Sequence, residues 1–409
     1  MHGFDKGKEH EAGNAGADIG PPQPQKDQLP SMNAYHHIRY ARAARFEEPE
    51  LMPFEEPEND DSVVVAFPQN RHRMGFTMGD GEQLAMSEDC HFMSIYTPSR
   101  EGKYPVLVWI HGGAYMTGCG EEAAYDGSAL AEEGDIVVVT VSYRLGVFGY
   151  LYNPQGEPQN LGLKDQMAAL RWVHENIAHF GGNPQQVTLA GQSAGGHSVA
   201  SLISYCREPF FRKAIIQSTP LGFGFGKKYF SKQYHDFLQL IGKPVGEATV
   251  AEMLLAQKSL LESSGKAMAF SPYVPALGKN VAVLSLEKVL VTWQKDDAAP
   301  FVAMRLKHER TFGGIIDRLA TYLSTSLVFK IGNRRYASWL GRNGIEVCLH
   351  EFGWRPKGSR YGACHCLEIA LLFGSWERWK GVGMLGDIDE TEWRRRSMQL
   401  RRKWLEFIR

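Results

Sequence analysis

Residues 187 to 196 read Val-Thr-Leu-Ala-Gly-Gln-Ser-Ala-Gly-Gly, an apolar strand that runs into Gly191-x-Ser193-x-Gly195 and at once into a small-residue helix start. A strand and a helix joined by so short a turn pass within contact of one another, and a Cβ on either flank would collide. This is the setting in which a serine is held out on a strained elbow. A serine alcohol is barely ionised at neutral pH, so it attacks a carbonyl only beside a base and a set of oxyanion donors. Those partners have to come from elsewhere in the chain.

Tyr104-Pro-Val-Leu-Val-Trp-Ile110 is a continuous apolar run, as expected of a strand buried on both faces. It ends in His111-Gly112-Gly113-Ala114-Tyr115, a loop that presents backbone N–H groups with little side chain in the way. The expected oxyanion donors are the N–H groups of Gly113, Ala114 and Ala194. Further buried strands are expected over 136–142 and 213–217, with an amphipathic helix over 164–180. Strands alternating with helices at this spacing predict a mostly parallel central sheet flanked by helices, with right-handed crossovers.

From residue 34 onward the chain resembles the type B carboxylesterase and cholinesterase family of α/β-hydrolases. The likeness is carried by Ser87-Glu88-Asp89-Cys90, Ser94-Ile95-Tyr96-Thr97-Pro98, Trp109-Ile110-His111-Gly112-Gly113 and Tyr143-Arg144-Leu145-Gly146. It continues through Asn160-Leu161-Gly162-Leu163-Lys164-Asp165-Gln166, Phe180-Gly181-Gly182-Asn183-Pro184 and the serine elbow. The resemblance implies a single α/β-hydrolase domain over 34–409 and a serine esterase working through an acyl-enzyme on small to medium carboxylic esters. It also implies pairs between Arg45 and Glu88 and between Arg144 and Asp165, read as structural ion pairs. Ser218 would help to orient the acid, and His111 would shape the oxyanion loop.

In this fold the catalytic order is serine, acid, histidine. Of fourteen histidines, His365 in Gly362-Ala363-Cys364-His365-Cys366-Leu367-Glu368 matches the family segment that carries the base. For the acid, residues 300–304 are taken as a strand, and the polar stretch beyond it puts the family's carboxylate on Glu309. Asp317 is the rival, expected inside a helix and facing solvent. The expected triad is thus Ser193, Glu309 and His365, the carboxylate holding the imidazole tautomer. Gln192 stands before the nucleophile where many relatives carry Glu, which argues against a cationic choline-like substrate. Tyr115, Phe223 and Phe225 are candidates for the acyl pocket, with plain core packing as the equal alternative.

The 45 basic and 46 acidic side chains give a net charge of −1, so no bulk attraction to nucleic acid or membrane is expected. At 43% hydrophobic residues the chain can bury a large core. Residues 1–33, rich in Gly, Pro, Gln and charge, read as a disordered tail. The acidic, proline-broken stretch 47–61 reads as a surface loop. Among six cysteines nothing precedes Cys90 to pair with it, and no apolar leader opens the chain, which together predict a reduced, cytoplasmic protein. Cys364-His365-Cys366 lacks the second ligand cluster that zinc needs, so no metal or organic cofactor is expected. The expected partner is a small-molecule ester, and the protein is expected to be a monomer or small homo-oligomer. The run 390–409 is expected as a helix that packs its Trp and Leu face on the body. Departing from the family, the chain is short between acid and histidine and at the C-terminus, which predicts a shallow, open cleft. The competing class is a noncatalytic scaffold on the same fold, and amides, carbamates or lactones are alternative substrates of the same machinery.

Overall fold

A computed structural model describes residues 32–409 apart from 58–62, 154, 156, 222–225, 265–267, 275, 276, 280 and 284. The expected tail and part of the acidic stretch lie outside the described residues, while Asn33 already begins a strand.

Eight strands form the main sheet: β1 (Asn33–Arg39), β2 (Phe92–Thr97), β3 (Tyr104–Ile110), β4 (Val137–Val141), β5 (Gly182–Gln192), β6 (Lys213–Gln217), β7 (Lys288–Gln294) and β8 (Glu346–Phe352). Their spatial order is β1-β2-β4-β3-β5-β6-β7-β8. The pairs β1–β2 and β2–β4 are antiparallel and all the others parallel. The strands expected at 104–110 and 213–217 fall on those residues, and the one expected at 136–142 is β4.

Alternation along the central strands divides the core in two. Val106, Val108 and Ile110 of β3 join Val137, Val139 and Val141 of β4 in one apolar cluster, whereas Leu107, Trp109 and Val138 face the other. Successive side chains of a strand point to opposite faces, so a sheet covered on both sides must read as an unbroken apolar run. The first layer includes α1 (Leu161–Asn176), which begins three residues before the expected start and continues as a tighter turn to Phe180, and α2 (Ala194–Tyr205). The second includes the C-terminal helix, Glu390–Ile408, which buries Trp393, Leu400, Trp404 and Ile408 as expected.

One expected strand is a helix. Residues 300–304 lie in α3 (Ala299–Leu306), with Pro300 in its first turn, where the missing N–H costs nothing. A five-residue apolar run has no period of its own, and here β7, with its Val-Leu-Val-Thr-Trp sequence, takes the place in the sheet. The register then levels the C-terminal edges: Ile110 lies opposite Gly191, Gln192 opposite Gln217, and Gln217 opposite Thr292. Ligands in open α/β sheets bind outside this edge.

Candidate active site

Ser193 leaves β5 with φ 56° and ψ −118°, a conformation a non-glycine residue adopts only under strain of the order of 1–3 kcal/mol. The surroundings enforce it. Ser193 N–H donates to Gln217 O at 2.9 Å, and the Ser193 carbonyl accepts from His197 N–H at 2.9 Å, starting α2. A Cβ at Gly195 would lie 2.0 Å from Ile110 O and 2.7 Å from His111 O, so only glycine lets α2 cross the end of β3.

The loop after β3 folds back on itself beside the elbow. Met116 and Thr117 N–H groups donate to Gly113 O at 3.0 and 3.1 Å, and Gln69 clasps Gly118 through both its N–H and its carbonyl. A Cβ on Gly112 would meet Ser193 Cβ at 3.4 Å, which puts this loop against the serine. Gly113 and Ala114 donate to no backbone carbonyl among the described residues. Ala194 opens α2, where N–H groups have no intrahelical acceptor. His111 holds the loop from beneath: Nδ1–H donates to Gly112 O at 2.8 Å, and the ring stacks on Tyr143, whose hydroxyl donates to His111 O. Burial pushes this imidazole down to about 4, so it stays neutral.

His365, on the loop beyond β8, is buried between Phe301 and Phe329, whose ring centres lie 5.0 and 5.4 Å away. Its Nδ1–H donates to Asp297 Oδ1 at 2.6 Å. Asp297 is fully buried and its other oxygen accepts from Gln294 N–H at 2.9 Å. The carboxylate facing His365 is therefore Asp297, not Glu309. Once β7 ends at Gln294 the chain reaches Asp297 directly, and α3 then carries it about two turns away. Glu309 is half-buried in the turn beyond α3, its carbonyl accepting from the Tyr361 hydroxyl. Asp317 is helical as expected but buried, not solvent-facing. It accepts from Gly313 and Gly314 N–H groups and from His308 at the start of its own helix. The signal that leads to Asp297 is the β-branched run 288–294 followed by Lys-Asp-Asp.

The Nε2 atom of His365 has the Gln192 side-chain amide nitrogen at 3.1 Å as its hydrogen-bond partner, and not the Ser193 hydroxyl. With Nδ1 protonated towards Asp297, Nε2 accepts, so Gln192 occupies the lone pair that a general base would use. A second buried carboxyl sits behind the pair. Glu368 accepts from Gln294 Nε2 at 2.7 Å and from the Ser218 hydroxyl at 3.3 Å, so Ser218 bears on Glu368 and not on Asp297. Burial, helped by the Asp297 charge against the pull of His365, pushes Glu368 up to about 7.

Of the pocket candidates, Tyr115 is fully buried, tied to His197 and Ser198 and packed on Tyr150, so it belongs to the core and not to a cleft wall. Phe223 and Phe225 lie outside the described residues. Phe301 and Phe329 border the histidine instead, and short apolar runs gave no reason to single them out. The supporting ion pairs form: Arg45 with Glu88 in a two-pronged contact, and Arg144 with fully buried Asp165 at 2.7 and 2.9 Å. Burial alone would raise Asp165, but Arg144 and His91 hold it well below the usual carboxylate range. Among the described residues no three His, Cys, Asp or Glu side chains converge as a metal site.

This strand order, with a strained serine at the end of β5 and a carboxylate-backed histidine beyond β8, defines the α/β-hydrolase class. Comparison with known proteins is consistent across sequence and structure. The carboxylesterase family profile matches residues 19–269. The probable N-octanoylanthranilate hydrolase of Rhodococcus erythropolis is 34% identical over 92% of this chain and 89% of its own length. Para-nitrobenzyl esterase of Bacillus subtilis is 31% identical over 79% of this chain and 74% of its own. A solved para-nitrobenzyl esterase structure superposes with TM-score 0.75 at 26% identity, covering 92% of this chain and 86% of that one. The chain belongs to the carboxylesterase family, and the protein is a carboxylesterase.

Proposed function

We propose that the protein hydrolyses small to medium carboxylic esters in two acyl-transfer steps, with Ser193 as nucleophile, His365 as general base and Asp297 as the carboxylate behind it. The observation that carries this reading is the 2.6 Å bond from His365 Nδ1 to buried Asp297, which leaves Nε2 as the basic nitrogen on the side of the elbow. Swinging the Gln192 amide aside frees Nε2 to take the Ser193 proton as the alcohol adds to the carbonyl. The new oxyanion is met by N–H groups of Gly113, Ala114 and Ala194, each such donor being worth about a hundredfold or more in rate. His365 then protonates the departing alcohol, and water repeats the sequence on the acyl-enzyme. Asp297 keeps the imidazole in the required tautomer and stabilises the imidazolium without taking its proton.

The test is turnover of a nitrophenyl ester panel by the parent and Ser193→Ala proteins, with an organophosphate label located by mass spectrometry. Loss of turnover and of labelling in the variant is expected, and equal turnover would exclude the mechanism. The R. erythropolis relative, named for an N-acyl substrate, favours adding acylated anthranilates to the panel as a second substrate class.

A further inference from the structure

The helical run between Asp297 and His365 has one side against the site and the other bare. Its elements are α4 (Ile315–Thr325), a wider turn over Ser326–Lys330 and α5 (Ile331–Arg342). Asp317, Thr321, Thr325 and Phe329 recur every four residues on the inner side, Phe329 packing on the His365 ring. On the outer side Ile315 and Ile316 are 85% and 72% exposed, and Leu319, Tyr322, Leu323 and Leu327 are all at least half exposed. These six are among fifteen exposed large apolar side chains of the described residues, and they fall within thirteen consecutive positions. Scattered exposed leucines need no explanation, but a continuous stripe marks a surface that docks on something apolar.

The charge beside the stripe says what that is. Residues 301–342 hold eight Lys and Arg against two acids, Glu309 and the buried Asp317, a surplus of six positive charges in a chain whose total is −1. Arg305, Lys307, Arg310, Arg318 and Arg335 have no carboxylate partner among the described residues. Two copies meeting symmetrically through this face would oppose the same surplus to itself, which works against a second copy as occupant. An apolar stripe beside arginines fits a lipid surface with anionic head groups, where the apolar face enters the acyl boundary and the cations meet phosphate. No described helix is long and apolar enough to cross a membrane, so the contact would be peripheral.

We propose that the outer face of α4 and its continuation to α5 docks the enzyme on anionic lipid surfaces, setting the Ser193 and His365 site one helix thickness beneath the interface. The consequence for substrate rests on the esterase reading above: acyl esters dissolved in the apolar phase reach the site preferentially. A near-zero total charge conceals this, because the surplus is local.

The test separates docking from chemistry by using full-length Ser193→Ala protein, which binds whether or not the enzyme turns over. Co-sedimentation is measured with vesicles of equal phosphatidylcholine and phosphatidylglycerol, and with phosphatidylcholine alone. Anionic vesicles are expected to bind at least about tenfold more tightly, an advantage that collapses between about 0.1 M and about 1 M salt as the screening length falls. The triple change Ile316→Ser, Leu319→Ser, Leu323→Ser should lower binding about tenfold or more, and Arg318→Glu with Arg335→Glu should do the same on anionic vesicles only. In the Ser193→Ala background both variants should keep the parent's hydrodynamic size and circular dichroism, a readout that separates lost docking from misfolding. Parent binding equal for both vesicle types, or undiminished in both variants, overturns the proposal. So does a concentration-dependent dimer that the triple change abolishes without vesicle binding by the parent.

Discussion

Glu368→Gln tests whether the carboxyl behind the His365–Asp297 pair carries a proton at the pH where its unfolded counterpart does not. In the folded chain Glu368 is 1% exposed and lies near the Asp297 charge, and it is raised from 4.5 to about 7. Between those values the folded state holds a proton that the unfolded state has released. Stability therefore falls as pH rises through this window and is flat above it. At about 1.4 kcal/mol per pH step, the interval is worth about 3 kcal/mol. A glutamine keeps the shape, accepts from Gln294 and lets the Ser218 hydroxyl rotate, but does not titrate. Equilibrium urea unfolding of both proteins at about pH 5 and pH 8 gives the comparison. The parent should lose about 2–3 kcal/mol more than the variant on going to the higher pH, and the variant should match or exceed the parent there. Parallel pH dependence of the two proteins would refute the reasoning, because it would mean that Glu368 is ionised in the folded state throughout.

Asp297→Asn should lower kcat for a nitrophenyl ester by about ten-thousandfold through the wrong imidazole tautomer, while Glu309→Gln stays within about twofold of the parent; the reverse ranking would return the acid to Glu309. Arg144→Met should cost about 3–5 kcal/mol in urea unfolding, since it strips fully buried Asp165 of its guanidinium and leaves only His91 and a backbone N–H facing the carboxylate. An unchanged midpoint would show that His91 suffices. Gly195→Ala should abolish organophosphate labelling of Ser193, because its methyl would sit 2.0 Å from Ile110 O and force the elbow to move; parental labelling rates would show the turn to be adaptable.

Much of the site was readable because it is local. Gly191, Ser193 and Gly195 have to share one turn, and His111 to Tyr115 must follow a strand buried on both sides, so residue type and order suffice. His365 is legible through its flanking sequence, not through any pattern of burial. The carboxylate beside His365 is not legible in the sequence because residues 300–304 and 288–294 are both short apolar runs, and only pairing with β6 and β8 decides which enters the sheet. Moving the strand moved the carboxylate from Glu309 to Asp297.

Alternating apolar runs, glycines at a steric pinch and turn residues are properties of neighbouring positions, and from them the chain itself specified a covered parallel sheet with a serine at the end of one strand. Which carboxyl meets His365, that Gln192 occupies its Nε2, that Tyr115 belongs to the core, and that a helix within a cationic segment shows its leucines to solvent all depend on contacts between distant segments. Those contacts are set by strand register and by burial, and no span of sequence encodes either until the layers have closed.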